Sequence, residues 1–215
     1  MNDAVWVKNS TTGGHLAFKT ARAKTAFTNN MKECKLVKLL PSDIVADIGA
    51  YVGEYSMYAS RMGVKKVISY EPTPATYAVL ERNATDTMTC RNMAVVGDDT
   101  ASVQLHISKG VGVTNSIEKT KGKTGAITVP AMRYERAVDG VSVVKIDVEG
   151  AEYSFNIVQP QLRAIILEFH PIVGRDWKAD AWRIMADIED HGFTPLCTPT
   201  FVSGWNCAGC WERNI

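Results

Sequence analysis

The stretch Asp43-Ile-Val-Ala-Asp-Ile-Gly-Ala-Tyr-Val-Gly53 decides the fold of this chain. Ile44 to Ile48 is a short β-branched apolar run, the composition of a parallel strand covered on both faces. Gly49 and Gly53 punctuate the turn after it, and Gly53-Glu-Tyr-Ser-Met-Tyr-Ala59 opens a helix whose free N–H groups face whatever the turn holds. A second strand, Lys66 to Glu71, follows at βαβ distance and ends in a carboxylate, where a ribose diol finds a two-pronged acceptor. Two glycines after a strand are by themselves only a βα turn. Joined to Asp47 and Glu71 they read as the seat of a nucleoside-bearing cofactor.

The turn also separates two cofactor classes. A dinucleotide fingerprint is G-x-G-x-x-G, with the pyrophosphate on the helix N-terminus. Here Tyr51 stands at the middle glycine position and Glu54 follows Gly53, which places negative charge where a pyrophosphate would sit. The same acids suit a ligand carrying an ammonium and a sulfonium, S-adenosylmethionine. The cofactor set is therefore Asp47, Gly49, Tyr51, Gly53 and Glu71, with Glu71 on the ribose and Asp47 orienting the methionine part. Asn92, Met93 and Ala94, near the end of the third strand, fall where an adenine edge would lie; Met93 reads equally as core packing.

Outward from that stretch, strand and helix alternate. A helix is expected from about Lys19 to Leu40, closed by Pro41-Ser42, and another from Pro74 to Asn83 with Thr73 as its cap. Met88 to Val96 reads as one strand and Ser102 to Ile107 as the next. Ser108 to Lys123 is a long loop rich in Gly, Lys, Ser and Thr, followed by a strand from Ala126 to Met132. Its Lys109, Lys119, Lys121 and Lys123 read as solvated surface, while Asn115 and Ser116 are in reach of ligand. Val143 to Asp147 is another buried strand with a helix from Gly150, and Arg163 to Phe169 is a fifth parallel strand before His170-Pro171. An amphipathic helix over Trp177 to His191 and two closing strands within Gly192 to Trp211, joined at Ser203-Gly204, complete the chain. The alternation is that of an α/β doubly wound sheet with helices on both faces and ligands at the carboxyl ends of the strands.

At 215 residues the chain has the size of one domain, 1–215, with a leader and helix over 1–40 and the core over 41–215. Hydrophobic residues at 46% and charged residues at 22% are globular values, and a net charge of +1 gives no electrostatic case for a nucleic-acid polymer. Met1-Asn-Asp-Ala-Val-Trp6 lacks the basic-then-apolar pattern of a signal peptide, and no window holds the roughly 18 apolar residues of a membrane span. The expected place is the cytoplasm, with no membrane partner. Cys34, Cys90, Cys197, Cys207 and Cys210 are too scattered for a disulfide framework. Cys207-Ala-Gly-Cys210 has metal or redox spacing without a second pair, so reduced cysteines in a terminal hairpin are expected.

In five blocks the chain resembles the FkbM-type methyltransferases, a branch of the class I S-adenosylmethionine-dependent enzymes. The blocks are Asp47-Ile-Gly-Ala-Tyr-Val-Gly53, Tyr70-Glu-Pro-Thr-Pro74 with Leu80 and Asn83, Asn92-Met-Ala-Val-Val-Gly-Asp98, Val144-Lys-Ile-Asp-Val-Glu-Gly-Ala-Glu152 and Ile166-Leu-Glu-Phe-His-Pro171. They run in the family's order, and Lys145 to Glu152 is the most specific. Tyr51 departs from the family, which usually has Asn there. The resemblance implies a Rossmann-like, mostly parallel seven-stranded sheet with a small β insertion, and methyl transfer most often to a hydroxyl of a sugar or other small molecule.

Methyl transfer needs nucleophile, methyl and sulfur in line and water excluded. A hydroxyl acceptor must also lose a proton, and strand ends bring Asp147, Glu149, Glu168 and His170 together. The catalytic set is His170, Asp147 and Glu168, with His170 as base because an unperturbed imidazole titrates near neutrality. Asp147 serves the acceptor, the base or the cofactor's ammonium. Glu149 and Glu152 read equally as caps of the segment after Gly150. The four groups have the character that Mg²⁺ or Mn²⁺ favours, but spacing alone does not establish a metal, and no metal ligand is assigned. Three rivals remain: an RNA ribose 2′-O-methyltransferase, given Lys145, Asp147 and Glu168, a partner subunit that binds cofactor without turnover, and an NAD-dependent oxidoreductase.

Overall fold

The computed structural model describes residues 5–8, 15–18, 34–108, 115–117, 123–197, 200–202 and 206–213. A short antiparallel pair, β1 (Val5–Lys8) with β2 (His15–Phe18), precedes the main body. Then come β3 (Ile44–Ile48), α1 (Glu54–Arg61), β4 (Lys66–Tyr70), α2 (Pro74–Asn83) and β5 (Met88–Arg91). An insertion of β6 (Ala94–Val96), β7 (Ser102–Ser108) and β8 (Lys123–Arg133) forms a separate three-stranded sheet, and the short α3 (Tyr134–Ala137) follows it. The chain returns through β9 (Val143–Ile146), β10 (Ala164–Phe169), α4 (Trp177–Asp190), β11 (Thr194–Pro195), β12 (Thr200–Val202) and β13 (Asn206–Glu212).

The large sheet runs β11-β13-β10-β9-β3-β4-β5, with β12 added on β13. From β5 to β10 neighbouring strands are parallel; β13 is antiparallel to β10, β11 and β12. The seven strands along the path match the expectation, and β12 is an eighth. Strands are laid down outward from β3 to β5 and then, after the insertion, on the other side as β9 and β10. The order reverses between β3 and β9, and that reversal opens the crevice in which open α/β sheets bind ligands.

Period-two alternation divides the sheet residues between two cores. Ile48, Ile146, Leu167 and Phe169 pack on one face with Ala181, Ile184 and Ile188 of α4. Val45, Val143 and Ile166 pack on the other with Tyr55 and Ala59 of α1 and Val79 and Leu80 of α2. Full burial of each such side chain contributes about 1.5–3 kcal/mol. At the amino ends of the strands, opposite the crevice, Asp43 accepts hydrogen bonds from Leu40 N (2.6 Å), Ser142 Oγ (2.8 Å) and the Arg163 guanidinium, whose Nε lies 2.8 Å away. Arg163 also reaches Glu212, so one buried acid ties β3, β10 and β13 together.

Three elements differ from the sequence reading. Met88 to Val96 is two strands in two sheets, broken at Asn92-Met93, where the Asn92 side-chain amide donates to the carbonyls of Glu71 and Pro72 (2.8 and 3.1 Å). The expected helix from Gly150 is only a 3-10 turn, Ala151–Ser154. It stops there because Phe155 is extended and turns its ring into the core against Tyr134, 4.9 Å between centroids. The closing segment is three short strands rather than two. Most of the expected helix over Lys19 to Leu40, the Ser203-Gly204 turn and most of the Ser108 to Lys123 loop, with Lys109, Lys119 and Lys121, lie outside the described residues. Among the described residues no helix is long and apolar enough to cross a membrane.

Candidate active site and cofactor crevice

The turn after β3 is built on backbone that side chains resist. Gly49 has φ 79°, and a Cβ there would lie 1.7 Å from the carbonyl oxygen of Asp147, so only glycine lets β3 and β9 close on each other. Gly53 has φ 93° and caps α1, while Tyr51 takes φ 51°, a left-handed conformation that Asn adopts more readily than Tyr. The N–H groups of Gly49 and Ala50 donate to Tyr70 O (3.0 and 2.9 Å), which binds the turn to the end of β4.

Glu71 is held by that same turn. Its Oε2 accepts from Tyr51 N (3.1 Å) and its Oε1 from Thr73 N (2.8 Å), and its residue is nearly buried. A carboxylate oxygen has two lone pairs, so each oxygen can accept more than one hydrogen bond. Asn92 lies directly behind Glu71 through the two carbonyl contacts. Met93 packs partly buried against the main core, whereas Ala94 is buried in the core of the inserted sheet and can offer a ligand only its backbone. Asn115 reaches back from the insertion to Thr73 Oγ1 (3.0 Å), and Ser116 Oγ donates to Glu149 O (2.6 Å). The two therefore strap the insertion across the strand ends.

Asp47 and Lys145 are lateral neighbours in the β3–β9 register, on the same face. Asp47 is fully buried: Oδ2 accepts from Ser56 Oγ (2.6 Å), and Oδ1 lies 3.3 Å from Lys145 Nζ without the alignment of a hydrogen bond. Lys145 Nζ is also 3.3 Å from Asp147 Oδ2 and from Gly49 O. Burial opposes the ammonium, but Asp47 and Asp147 outweigh it and hold Lys145 charged. Glu54, the first residue of α1, is buried against this group. Burial, reinforced by Asp47 and Asp147 against the pull of Lys145, pushes its carboxyl up to about 8. Asp47 and Asp147 share one ammonium, with Glu54 beside them able to ionise, so the crevice is electrostatically set to receive a cation. Sequence reasoning used Asp47 but missed the Lys145 pairing; a lysine at an inward position of Val143-Val-Lys-Ile146 was the available signal.

The second group of acids surrounds His170, at the end of β10. Its Nε2 lies 3.6 Å from Asp147 Oδ1, 3.8 Å from Glu149 Oε1 and 3.7 Å from Glu168 Oε1. On the other side Nδ1 is 3.4 Å from Glu152 Oε1. Glu152 is fully buried and accepts from Gly150 N (2.8 Å) and His170 N (2.7 Å), so it both caps the turn and fixes the histidine. Burial disfavours the imidazolium, yet Glu149, Glu152 and Glu168 outweigh it and raise the His170 pKa well above its ordinary value. The four carboxylates that face the ring therefore favour its protonated form over the near-neutral titration expected of a base. Asp147 joins the two groups, one oxygen toward Lys145 and the other toward His170. The structure thus brings Asp47, Glu54, Lys145, Asp147, Glu149, Glu168 and His170 together along β3, β9 and β10.

The cysteine pair does not come together. Residues three apart on a strand point to opposite faces, and Cys207 and Cys210 of β13 lie in different cores. Cys210 Sγ instead sits 3.5 Å from Cys197 Sγ. The described cysteines are all free thiols.

A family model described as the methyltransferase FkbM domain matches residues 47–195. A curated relative, the 31-O-demethyl-FK506 methyltransferase FkbM of Streptomyces tacrolimicus, is 24% identical over 203 residues, covering 74% of this chain and 75% of that protein. Among solved structures, a precorrin-6y C5,15-methyltransferase of Geobacter metallireducens superposes with a TM-score of 0.52 at 11% identity, covering 90% of each chain. An S-adenosylmethionine-dependent methyltransferase of Agrobacterium tumefaciens gives 0.54 at 8% identity over 100% of this chain and 71% of its own. The TYW2 protein of Pyrococcus horikoshii, solved in complex with MeSAdo, gives 0.54 at 14% identity over 99% of this chain and 72% of its own. These likenesses identify the class I methyltransferase fold.

Proposed function

The chain belongs to the FkbM methyltransferase family and is an S-adenosylmethionine-dependent methyltransferase; from that premise we propose that it methylates a hydroxyl of a sugar or another small molecule. The observation that carries this reading is the grouping at one crevice of a backbone-anchored Glu71 and a net-negative set around Lys145, next to the acids of His170. The curated relative, whose name states O-methylation of a small molecule, supports the acceptor class.

Glu71 takes the ribose diol, the glycine turn takes the backbone-facing side of the nucleoside, and Asp47, Glu54 and Asp147 favour the cationic methionine end. Asn92 and Met93 border the adenine. The acceptor oxygen lies between the methyl and the His170 group. Its lone pair forms the new O–CH₃ bond as the S–CH₃ bond breaks, and the sulfur leaves as a neutral thioether. The hydroxyl proton passes to Glu168: the oxygens of Asp147 face Lys145 and His170, and the acids around His170 disfavour its acting as base. The positive charge held at His170 orients the oxygen, while the strap at Asn115 and Ser116 excludes water.

The test is transfer of a labelled methyl group from S-adenosylmethionine to a panel of glycosides, hydroxylated macrocycles and RNA. Label in a glycoside or macrocycle, at an oxygen by mass spectrometry, is the expected result. Label in RNA alone would make the chain a ribose methyltransferase, and cofactor binding with no acceptor labelled would make it a non-catalytic subunit.

A further inference from the structure

We propose that Asp147, Glu149 and His170 bind a divalent cation of the Mn²⁺ or Mg²⁺ class at the mouth of the crevice. The proposal rests on the methyltransferase reading only for the cation's purpose, which is to hold the acceptor oxygen. Each of the three residues brings one donor atom to within 4.8 Å of the other two. Around a Mg²⁺-sized ion, adjacent ligands lie about 3 Å and opposite ligands about 4.2 Å apart, so these donors need to close by less than about 1 Å.

The histidine supplies a second, independent observation. His170 is more than nine-tenths buried, at 9% exposure, and Nδ1 has no hydrogen bond. Nε2 points among three carboxylate oxygens at 3.6–3.8 Å. Those separations are too long for hydrogen bonds and leave the nitrogen facing a ring of oxygen donors. Behind the ring, Glu152 stands 3.4 Å from Nδ1 with its other contacts made to backbone N–H groups. A buried carboxylate behind a histidine, once it closes to hydrogen-bond geometry with Nδ1, fixes the tautomer and aims the opposite nitrogen at a metal. Two carboxylates with one imidazole suit Mn²⁺ as well as Mg²⁺, and the ion takes the place of the Nε2 proton, which is released on binding. Glu168 stays outside the coordinating three, which leaves it to take the acceptor's proton.

The full-length protein, stripped with chelator, is titrated with Mn²⁺ and the free-ion signal followed by electron paramagnetic resonance. One ion per chain is expected. Glu149→Gln and His170→Asn should each weaken it more than tenfold, and Glu152→Gln by about 10–100-fold. Calorimetry with adenosylhomocysteine on the same samples shows that each variant is folded and that the donor reading stands. Undiminished Mn²⁺ signal up to millimolar metal, in protein that binds adenosylhomocysteine, overturns the metal site and leaves a protonated His170 as the only cation there. Binding equally tight in Glu149→Gln and His170→Asn also overturns it. Failure of adenosylhomocysteine to bind wild type counts instead against the methyl-donor crevice.

Discussion

Replacing Glu54 by Gln tests whether the buried acids of the crevice are there to receive a cation. Its carboxyl sits at about 8 against an ordinary 4.5. At pH 7 that leaves about nine in ten copies protonated in the free protein. A ligand that brings an ammonium and a sulfonium beside Asp47 and Asp147 favours the ionised form and draws the pKa back down. Full reversal would release about 0.9 proton at pH 7, about 0.5 at pH 8 and about 0.1 at pH 9, and would raise affinity roughly fiftyfold between pH 6 and pH 8. The ligand's own amine titrates in the same range, so the quantity to compare is the difference between wild type and Glu54→Gln. Calorimetry of S-adenosylmethionine in buffers of different ionisation enthalpy gives the proton count directly. Folding carries the opposite sign. The unfolded chain ionises Glu54 near 4.5 while the native state keeps the proton to about 8, so this residue lowers stability as pH rises through that window, and Glu54→Gln removes the loss. Equal proton release by wild type and variant at pH 7 would refute the reasoning.

Glu71→Gln keeps the size of the side chain but turns an NH₂ toward Tyr51 N or Thr73 N, one of which loses its acceptor. Adding the weaker bond to the diol, adenosylhomocysteine should bind about 2–4 kcal/mol less tightly by calorimetry; a change under threefold would count against the ribose assignment. Asp43→Ala leaves the Arg163 guanidinium and Leu40 N without their acid, and urea denaturation should show a loss of about 3 kcal/mol with the crevice intact. Arg163, Ser142 and Leu40 hold the Asp43 carboxyl below its ordinary range despite burial, so its stabilisation is present above that range and fades as pH falls through the lowered value. Gly49→Ala drives a Cβ into Asp147 O and should prevent folding or abolish adenosylhomocysteine binding, as read by circular dichroism and calorimetry.

The sheet was legible because its strands are apolar runs that end in polar residues: Asp47, Glu71, Asp147 and His170 each mark the carboxyl end of a strand, where open α/β sheets bind ligands. The insertion was harder to see. Residues 88–96 have one continuous strand pattern, and only the Asn92 contacts to two carbonyls, made across 20 and 21 residues, divide them. The turn after Gly150 looked helical because Glu149 and Glu152 resemble helix-capping acids; their partners prove to be a backbone N–H and a histidine from another strand. Position along the chain identified His170, but its charge depends on four acids from three segments, which no local pattern reveals. Likewise the C-x-x-C spacing of Cys207 and Cys210 means a shared site on a loop or helix and separated faces on a strand.

The most direct test is a crystal structure with adenosylhomocysteine. The ribose hydroxyls should sit on the two oxygens of Glu71, the adenine beside Asn92 and Met93, and the sulfur facing Asp147 and His170 with open space beyond it for an acceptor. A nucleoside lodged elsewhere, with no ribose hydroxyl on Glu71, would contradict the account.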